Sequence, residues 1–332
     1  MGASRVLLGD SVLYVPPPNP GAPEQLAHLR ASGREEDADA IQRMIETPQA
    51  VWFSRGDADE VESAVRGTVE QAAAAGAVPI LVAYNVPGRD CSQYSAGGAP
   101  TGDSYREWID AFARGLGDAP AIVIVEPDGL ALMPADCGQP DTYDRTALIR
   151  HAATALHAAP GAAVYLDAGH SGWHPVAEMA ARLVAGGVAG VEGFALNVSN
   201  YHRTGVEARY GTELAAESAR AAGRPAAEVH FVIDTSRNAR GPWLAPNDHP
   251  DGDPQVWCNP PDRGLGERPT SDTGVPLVDA YLWIKIPGES DGEGFRWTNG
   301  PTDPVRGVIA PAAGRWFADM ALELVHNAAP PI

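Results

Sequence analysis

The 332-residue chain carries 43 acidic and 24 basic side chains, a formal net charge of -19, and is 44% hydrophobic. That balance argues against nucleic acid or an anionic membrane surface as partner, because both attract the opposite charge. No stretch approaches the roughly 18 to 20 apolar residues that cross a bilayer, and so large an apolar fraction at this length fills a sizeable core; a single domain over 1–332, without a linker or an appended module, is expected.

Met1–Arg5 is too short and polar for a signal peptide, so the chain reads as intracellular or as a mature form whose leader is absent from this numbering. A Pro-rich strap, Val15–Pro20, precedes helical signals from Glu24 to Glu46, with a turn at Gly33 and a new helix start in the acidic run behind it. Strand-length apolar runs then recur at Ala50–Phe53, Pro79–Tyr84, Ala121–Val125, Ala162–Leu166, Val191–Leu196, Val229–Ile233 and Tyr281–Ile284. Between them lie helix candidates at Ala58–Ala75, Ser104–Leu116, Thr142–Ala158, Pro175–Ala185 and Gly205–Ala222. Seven strands in this alternation predict a parallel α/β barrel or a doubly wound sheet. Three cysteines, Cys91, Cys137 and Cys258, lack the close pairing of a zinc site, and one disulfide with one remaining thiol fits their number.

The residues just beyond each strand are more informative than the strands. The runs end in Trp52; in Tyr84, Asn85 and Asp90; in Glu126 and Asp128; in Asp167, His170 and Trp173; in Asn197 and Asn200; in Asp234, Ser236 and Arg237; and in Lys285, Glu289 and Asp291. Asp128 alone reads equally as a helix cap, but polar or aromatic groups after every strand point to one site at the carboxyl ends of the sheet. Several carboxylates, few bases and the loop tryptophans Trp52, Trp173 and Trp257 suit glycoside hydrolysis, which needs a protonated acid, an opposing carboxylate and flat rings for pyranose faces. No Gly-x-Ser-x-Gly elbow supports a serine triad. His170 reads as a hydrogen bonder behind the ligand or as a substrate contact, Arg237 as a clamp on a carboxylate, and Glu126 as a buried, paired group.

YNVPGRDC (84–91), VEPDGL (125–130), YLDAGHSGW (165–173), NVSNY (197–201), IDTSRN (233–238), WCNPP (257–261) and WIKIPGESDG (283–292) together resemble glycoside hydrolase family 6. That resemblance runs from about residue 13 to residue 326. It implies an α/β fold in the form of a distorted seven-stranded parallel β/α barrel, TIM-like, and inverting hydrolysis of internal β-1,4-glucosidic bonds. By position, Asp128 is implied as general acid, Asp90 as the neighbour that raises its pKa, and Asp291 as the base, acting directly or through a water chain. Asp167 is implied to bind the sugar at the cleavage point and Tyr84 to crowd it. Lys285, Glu289, Asn197, Asn200 and His170 are implied as sugar contacts, and Trp52, Trp173 and Trp257 as platforms. No metal and no cofactor are implied; the partner is a β-1,4-glucan or cello-oligosaccharide, and the protein is expected to be a secreted monomer.

The resemblance also pairs Cys91 with Cys137. It departs from the family where Glu293 replaces the usual partner of Cys258, which predicts a reactive Cys258 thiol and a loosely tethered loop after Asp291, and where Ala96 comes after Ser95 in place of a second serine. The short stretch from Asp90 to Tyr105 predicts an open cleft and endo action, while the stretch from Asp291 to Pro311 is intermediate, with Trp297 available to cover one end. The alternatives are a cellobiohydrolase of the same family, an enzyme for another β-glucan, or a carbohydrate-binding barrel without catalysis.

Overall fold

The computed structural model describes residues 11–225, 228–244, 255–295 and 300–332; Met1–Arg5 and Trp297 lie outside them. Seven strands, β1 (Val51–Phe53), β2 (Ile80–Ala83), β3 (Ala121–Val125), β4 (Ala162–Asp167), β5 (Gly193–Leu196), β6 (His230–Asp234) and β7 (Val278–Leu282), form one sheet in sequential order with every pairing parallel. The ladder stops at β1 and β7, but Ala50 donates its N–H to the Trp283 carbonyl at 3.0 Å and the Trp52 indole donates to the Ile284 carbonyl at 2.8 Å. The sheet is therefore a distorted barrel drawn together at its seam.

Alternation along each strand sends one set of side chains inward and the next outward. Ile80, Val82, Ile122, Ile124, Tyr165 and Leu282 fill the barrel, whereas Leu81, Val123, Val125, Val164 and Leu166 pack against the surrounding helices. Those helices are α3 (Ala58–Ala74), α4 (Gly102–Leu116), α5 (Arg145–His157), α6 (Val176–Gly186) and α7 (Thr204–Ala222). Their starts are fixed locally: Asp57 and Glu60 make a capping box for α3, and Thr101 and Ser104 make one for α4.

The helical signals at Glu24–Glu46 resolve into α1 (Gly21–Ala31) and α2 (Glu35–Ile45), which pack with the C-terminal α8 (Ala318–His326) around the fully buried Trp283. The last strand begins earlier than its apolar run suggests, at Val278, because pairing with β6 rather than hydrophobicity sets its register; a β-bulge at Phe231/Val232 accompanies it. Among the described residues no helix is long and apolar enough to cross a membrane.

Candidate active site

The loops after the strands enclose a cleft of about 650 Å³, within the roughly 300–1,000 Å³ range of ligand sites. Asp90, Glu126, Asp128, Asn197, Ser199 and Asn259 all hold positive φ angles, between 42° and 67°. Such left-handed backbone is uncommon away from glycine and gathers where surrounding structure holds a site in place.

On one wall, Asp128 is half-buried and lines the cleft beside Tyr84 and Asp90. Its carboxyl is pushed well above the ordinary aspartate range, first by burial, then by the charge of Asp167 and then by that of Asp90. The expected tuning by Asp90 is therefore present but ranks below Asp167. Asp90 is itself raised by burial, against the Ser95 N–H it accepts at 2.6 Å. Arg89 lies next to it, yet its guanidinium is committed to the carbonyls of Ser54, Tyr84 and Ser95 and stacks over the Tyr84 ring at 4.7 Å. Glu126 is fully enclosed, accepts the N–H groups of Asn85 and Val86, and is raised by burial to about 7; it ties the β3 loop to the β2 loop.

Asp167 is the residue that the resemblance gives to the sugar at the cleavage point. It is 1% exposed and lies beneath the cleft, where one carboxylate oxygen accepts the N–H groups of Asp128 and Gly169 while the other is buried without a partner. Asp167 belongs to β4 itself rather than to the loop beyond it. Burial raises its pKa to about 7. Asn197, expected as a sugar contact, is fully buried and bonds the backbone of His202 and the carbonyl of Asp234, and so shapes the β5 loop.

The opposite wall is built around cations. The guanidinium of Arg237, itself fully buried, donates to both oxygens of Asp291 at 2.9 Å and to the Ser199 carbonyl at 2.6 Å. Asp291 also accepts the Tyr201 hydroxyl at 2.9 Å and the Asn259 N–H at 3.0 Å, with the Lys285 ammonium 3.8 Å away. Lys285 lies 3.9 Å from Glu289, whose other oxygen accepts the Asn19 side-chain amide at 2.8 Å. The expected loose tether after Asp291 is not found. Asn259 accepts the Asp291 N–H and donates to Ser290 Oγ and the Gly292 carbonyl, so hydrogen bonds hold the loop where a disulfide is missing.

Trp52, Trp173, Trp257, Asn200, His170, Lys285 and Glu289 all line the cleft as expected. His170 stacks on His202 at 4.2 Å and lies 5.2 Å from Trp173; burial and the neighbouring histidines lower its pKa to about 3, leaving a neutral ring. Cys91 and Cys137 are joined, fastening the Asp90 loop to the segment beyond Asp128. Cys258 is 0% exposed, packed against the Gly292 carbonyl and the Asn259 amide, which removes the expected reactivity toward alkylation. Sequence reasoning missed Asn19, Tyr94, His202 and Trp243 in or behind the cleft. Tyr94 and His202 sit within a few residues of the motifs; Asn19 and Trp243 carry no local signal. Among the described residues no cluster of three or more His, Cys, Asp or Glu could hold a metal ion.

A family model for glycosyl hydrolases family 6 matches residues 9–328. The chain is 40% identical over 291 residues to endoglucanase A of Thermobispora bispora, covering 87% of this chain and 57% of that protein. It is 39% identical over 319 residues to endoglucanase A of Cellulomonas fimi, covering 96% and 62%; it thus spans about three fifths of the length of these relatives. Its fold is similar to the endoglucanase Cel6 from Mycobacterium tuberculosis in complex with methyl-cellobiosyl-4-deoxy-4-thio-β-D-cellobioside, with a TM-score of 0.81, 41% identity, and coverage of 98% of this chain and 99% of that one. With nearly every residue of the chain matched by the family model and seven parallel strands in the expected order, the protein belongs to glycosyl hydrolase family 6.

Proposed function

We propose that this protein is a secreted, inverting endo-β-1,4-glucanase whose residues 1–332 form one catalytic domain that cuts internal bonds of cellulose and related β-glucans. The observation that carries the reading is one tryptophan-lined cleft holding a carboxyl favoured in its protonated form, Asp128, and a cation-held carboxylate, Asp291. The names of the relatives support it.

Asp128 gives its proton to the glycosidic oxygen as the bond breaks, which general acid catalysis makes worth about 10²- to 10⁴-fold in rate. Beforehand, on top of burial, the neighbouring Asp167 and Asp90 favour the protonated form of Asp128 through their charge. Asp291 has its oxygens occupied by Arg237, Tyr201 and Asn259, so it takes the attacking water's proton through a chain of waters rather than by direct contact. With Ala96 lacking a hydroxyl, the Ser95 backbone, which already donates to Asp90, serves the relay on the acid side. Trp52, Trp173 and Trp257 offer ring faces to the sugars, and Tyr84 crowds the pyranose at the bond.

The test is product analysis on carboxymethyl cellulose and cellopentaose. The new reducing end is expected to be the α anomer by early-time NMR, with viscosity falling steeply per reducing end released; β product, or slow viscosity loss with cellobiose alone, overturns the reading. One observation favours the cellobiohydrolase alternative: Tyr94 of the Asp90 loop touches the loop after Asp291.

A further inference from the structure

The loops that carry Asp90 and Asp128 share one buried cation. Arg145 opens α5 and is 4% exposed. Its guanidinium donates to the carbonyls of Pro87 at 2.8 Å and Gly88 at 3.1 Å, just before Asp90. It also donates, at the longer distance of 3.5 Å, to the carbonyls of Gly129 and Leu132, just beyond Asp128. Every described hydrogen bond of this guanidinium thus goes to one of those two loops. Glu126, whose charge bears on Arg145, supplies the complementary half: from the end of β3 it accepts the N–H groups of Asn85 and Val86 at 2.9 to 3.0 Å. Gly129 permits the close packing, since a Cβ there would stand 2.8 Å from the Glu126 carbonyl oxygen. A buried charge adds little stability over an apolar side chain of the same volume, whereas a planar fork of donors fixes several acceptors at set angles. The place of Arg145 therefore points to geometry.

We infer that Arg145, with Glu126 as its counterpart, is a positioning residue for the acid: it holds the Asp90 loop and the Asp128 loop in one register, so that Asp128 meets the glycosidic oxygen with Asp90 beside it. Arg145 touches no sugar and gives no proton. The inference rests on the glucanase reading for its substrate and on the described contacts alone for the brace itself. The disulfide between the half-buried Cys91 and Cys137 joins the same two segments further out; it limits how far they part, and the guanidinium sets their orientation close to the carboxyls. The titratable groups facing Asp128 are Asp167 of β4, Asp90 of the β2 loop and Tyr84 just beyond β2, and those facing Arg145 are Glu126, Asp141, Tyr105 and Tyr84. Burial, then Asp167, then Asp90 raise the Asp128 pKa. Letting the two loops drift apart removes the last of these, lowers that pKa and moves the alkaline limb of kcat to lower pH.

Arg145→Lys tests it, because it keeps the charge and removes the planar fork. On cellopentaose, kcat is expected to fall by about 10- to 100-fold with KM within about 2-fold of wild type, and the alkaline limb of kcat to move down by about 0.5 to 1 pH unit. Wild-type kcat with an unmoved limb overturns the inference. Leu156→Ala, in the core at the far end of α5, is the control for stability alone: it should lower the midpoint of denaturant melts and leave the limb in place, and an equal shift of the limb there would reduce Arg145 to general support of the fold and overturn the inference. Glu126→Gln changes the other half of the brace more gently and should lower kcat by about 3-fold with a shift of the limb in the same direction; where Arg145→Lys does not fold, an unchanged Glu126→Gln overturns the inference. Titration of the Asp128 carboxyl by carboxyl-carbon NMR in the ligand-free protein gives a substrate-independent arm: Arg145→Lys, or Glu126→Gln in its place, should lower it, and unchanged titration overturns the inference. If the wild type releases no reducing ends from carboxymethyl cellulose or cellopentaose, the glucanase reading fails, and the titration alone decides the brace.

Discussion

Asp90, Asp128 and Asp167, carried by the ends of β2, β3 and β4, form a group of buried carboxyls in which the charges of Asp167 and Asp90 bear on Asp128, and the neighbouring cation, Arg89, is turned toward carbonyls. On the β6–β7 wall, Asp291 is as deeply placed, yet Arg237 grips both of its oxygens and Lys285 stands 3.8 Å away. Burial without a partner favours the neutral carboxyl, and burial with a hydrogen-bonded cation favours the carboxylate. In the proposed reading, chemically identical side chains are thereby given different roles, one as proton donor and one clamped by cations, by what the fold sets beside them.

The largest expected effect comes from removing the proton donor. Asp128→Ala should lower turnover of glucan by about 10²- to 10⁴-fold while cellotetraose affinity, measured calorimetrically, stays within about 3-fold, because protonation acts in the transition state and not in ground-state binding. Turnover near wild type would end the division of roles between the walls. Next comes the charge on the other wall: Arg237→Met leaves Asp291 buried beside a lost partner and is expected to destabilise the fold by about 3–5 kcal/mol in denaturant melts. The double variant with Asp291→Asn should recover part of that loss, and no recovery would mean that Arg237 matters through Ser199 instead.

A smaller effect sharpens the contrast through pH. Glu126 and Glu207, the latter buried in α7 and accepting the Ser171 hydroxyl and N–H, are both raised by burial from 4.5 to about 7. The folded protein then binds protons that the unfolded chain has released, so their contribution is complete below pH 4.5 and lost as pH rises through 7. Each group should give stability a downward slope of up to about 1.4 kcal/mol per pH unit within that window. Glu207→Gln should flatten the slope by one such share, and melts at pH 5, 6 and 7 would read it. The smallest expected change is at Asn19→Ala, which removes the amide bonded to Glu289; KM on cellopentaose should rise by about 3- to 10-fold with kcat nearly unchanged. An equal fall in kcat would place Glu289 closer to the chemistry than proposed.

The barrel and many of the residues that line its cleft are legible in local sequence. Strand runs such as Ala121–Val125 and the capped helices between them are set by period and local hydrogen bonding, and a motif after every strand is a consequence of the strands being parallel. The disulfide pairing was legible from the family resemblance. Depth and partnership were not. Whether Asp167 and Asn197 face the cleft or lie beneath it depends on how far each strand extends and how the next loop folds over it. Arg237 and Asp291, Asn19 and Glu289, and Tyr94 and Phe295 are each joined across long stretches of chain, and only packing of the loops against one another brings them into contact. A carboxyl group's pKa is a property of its surroundings, so it is long-range contacts that raise Asp128, and long-range contacts that clamp Asp291 to Arg237.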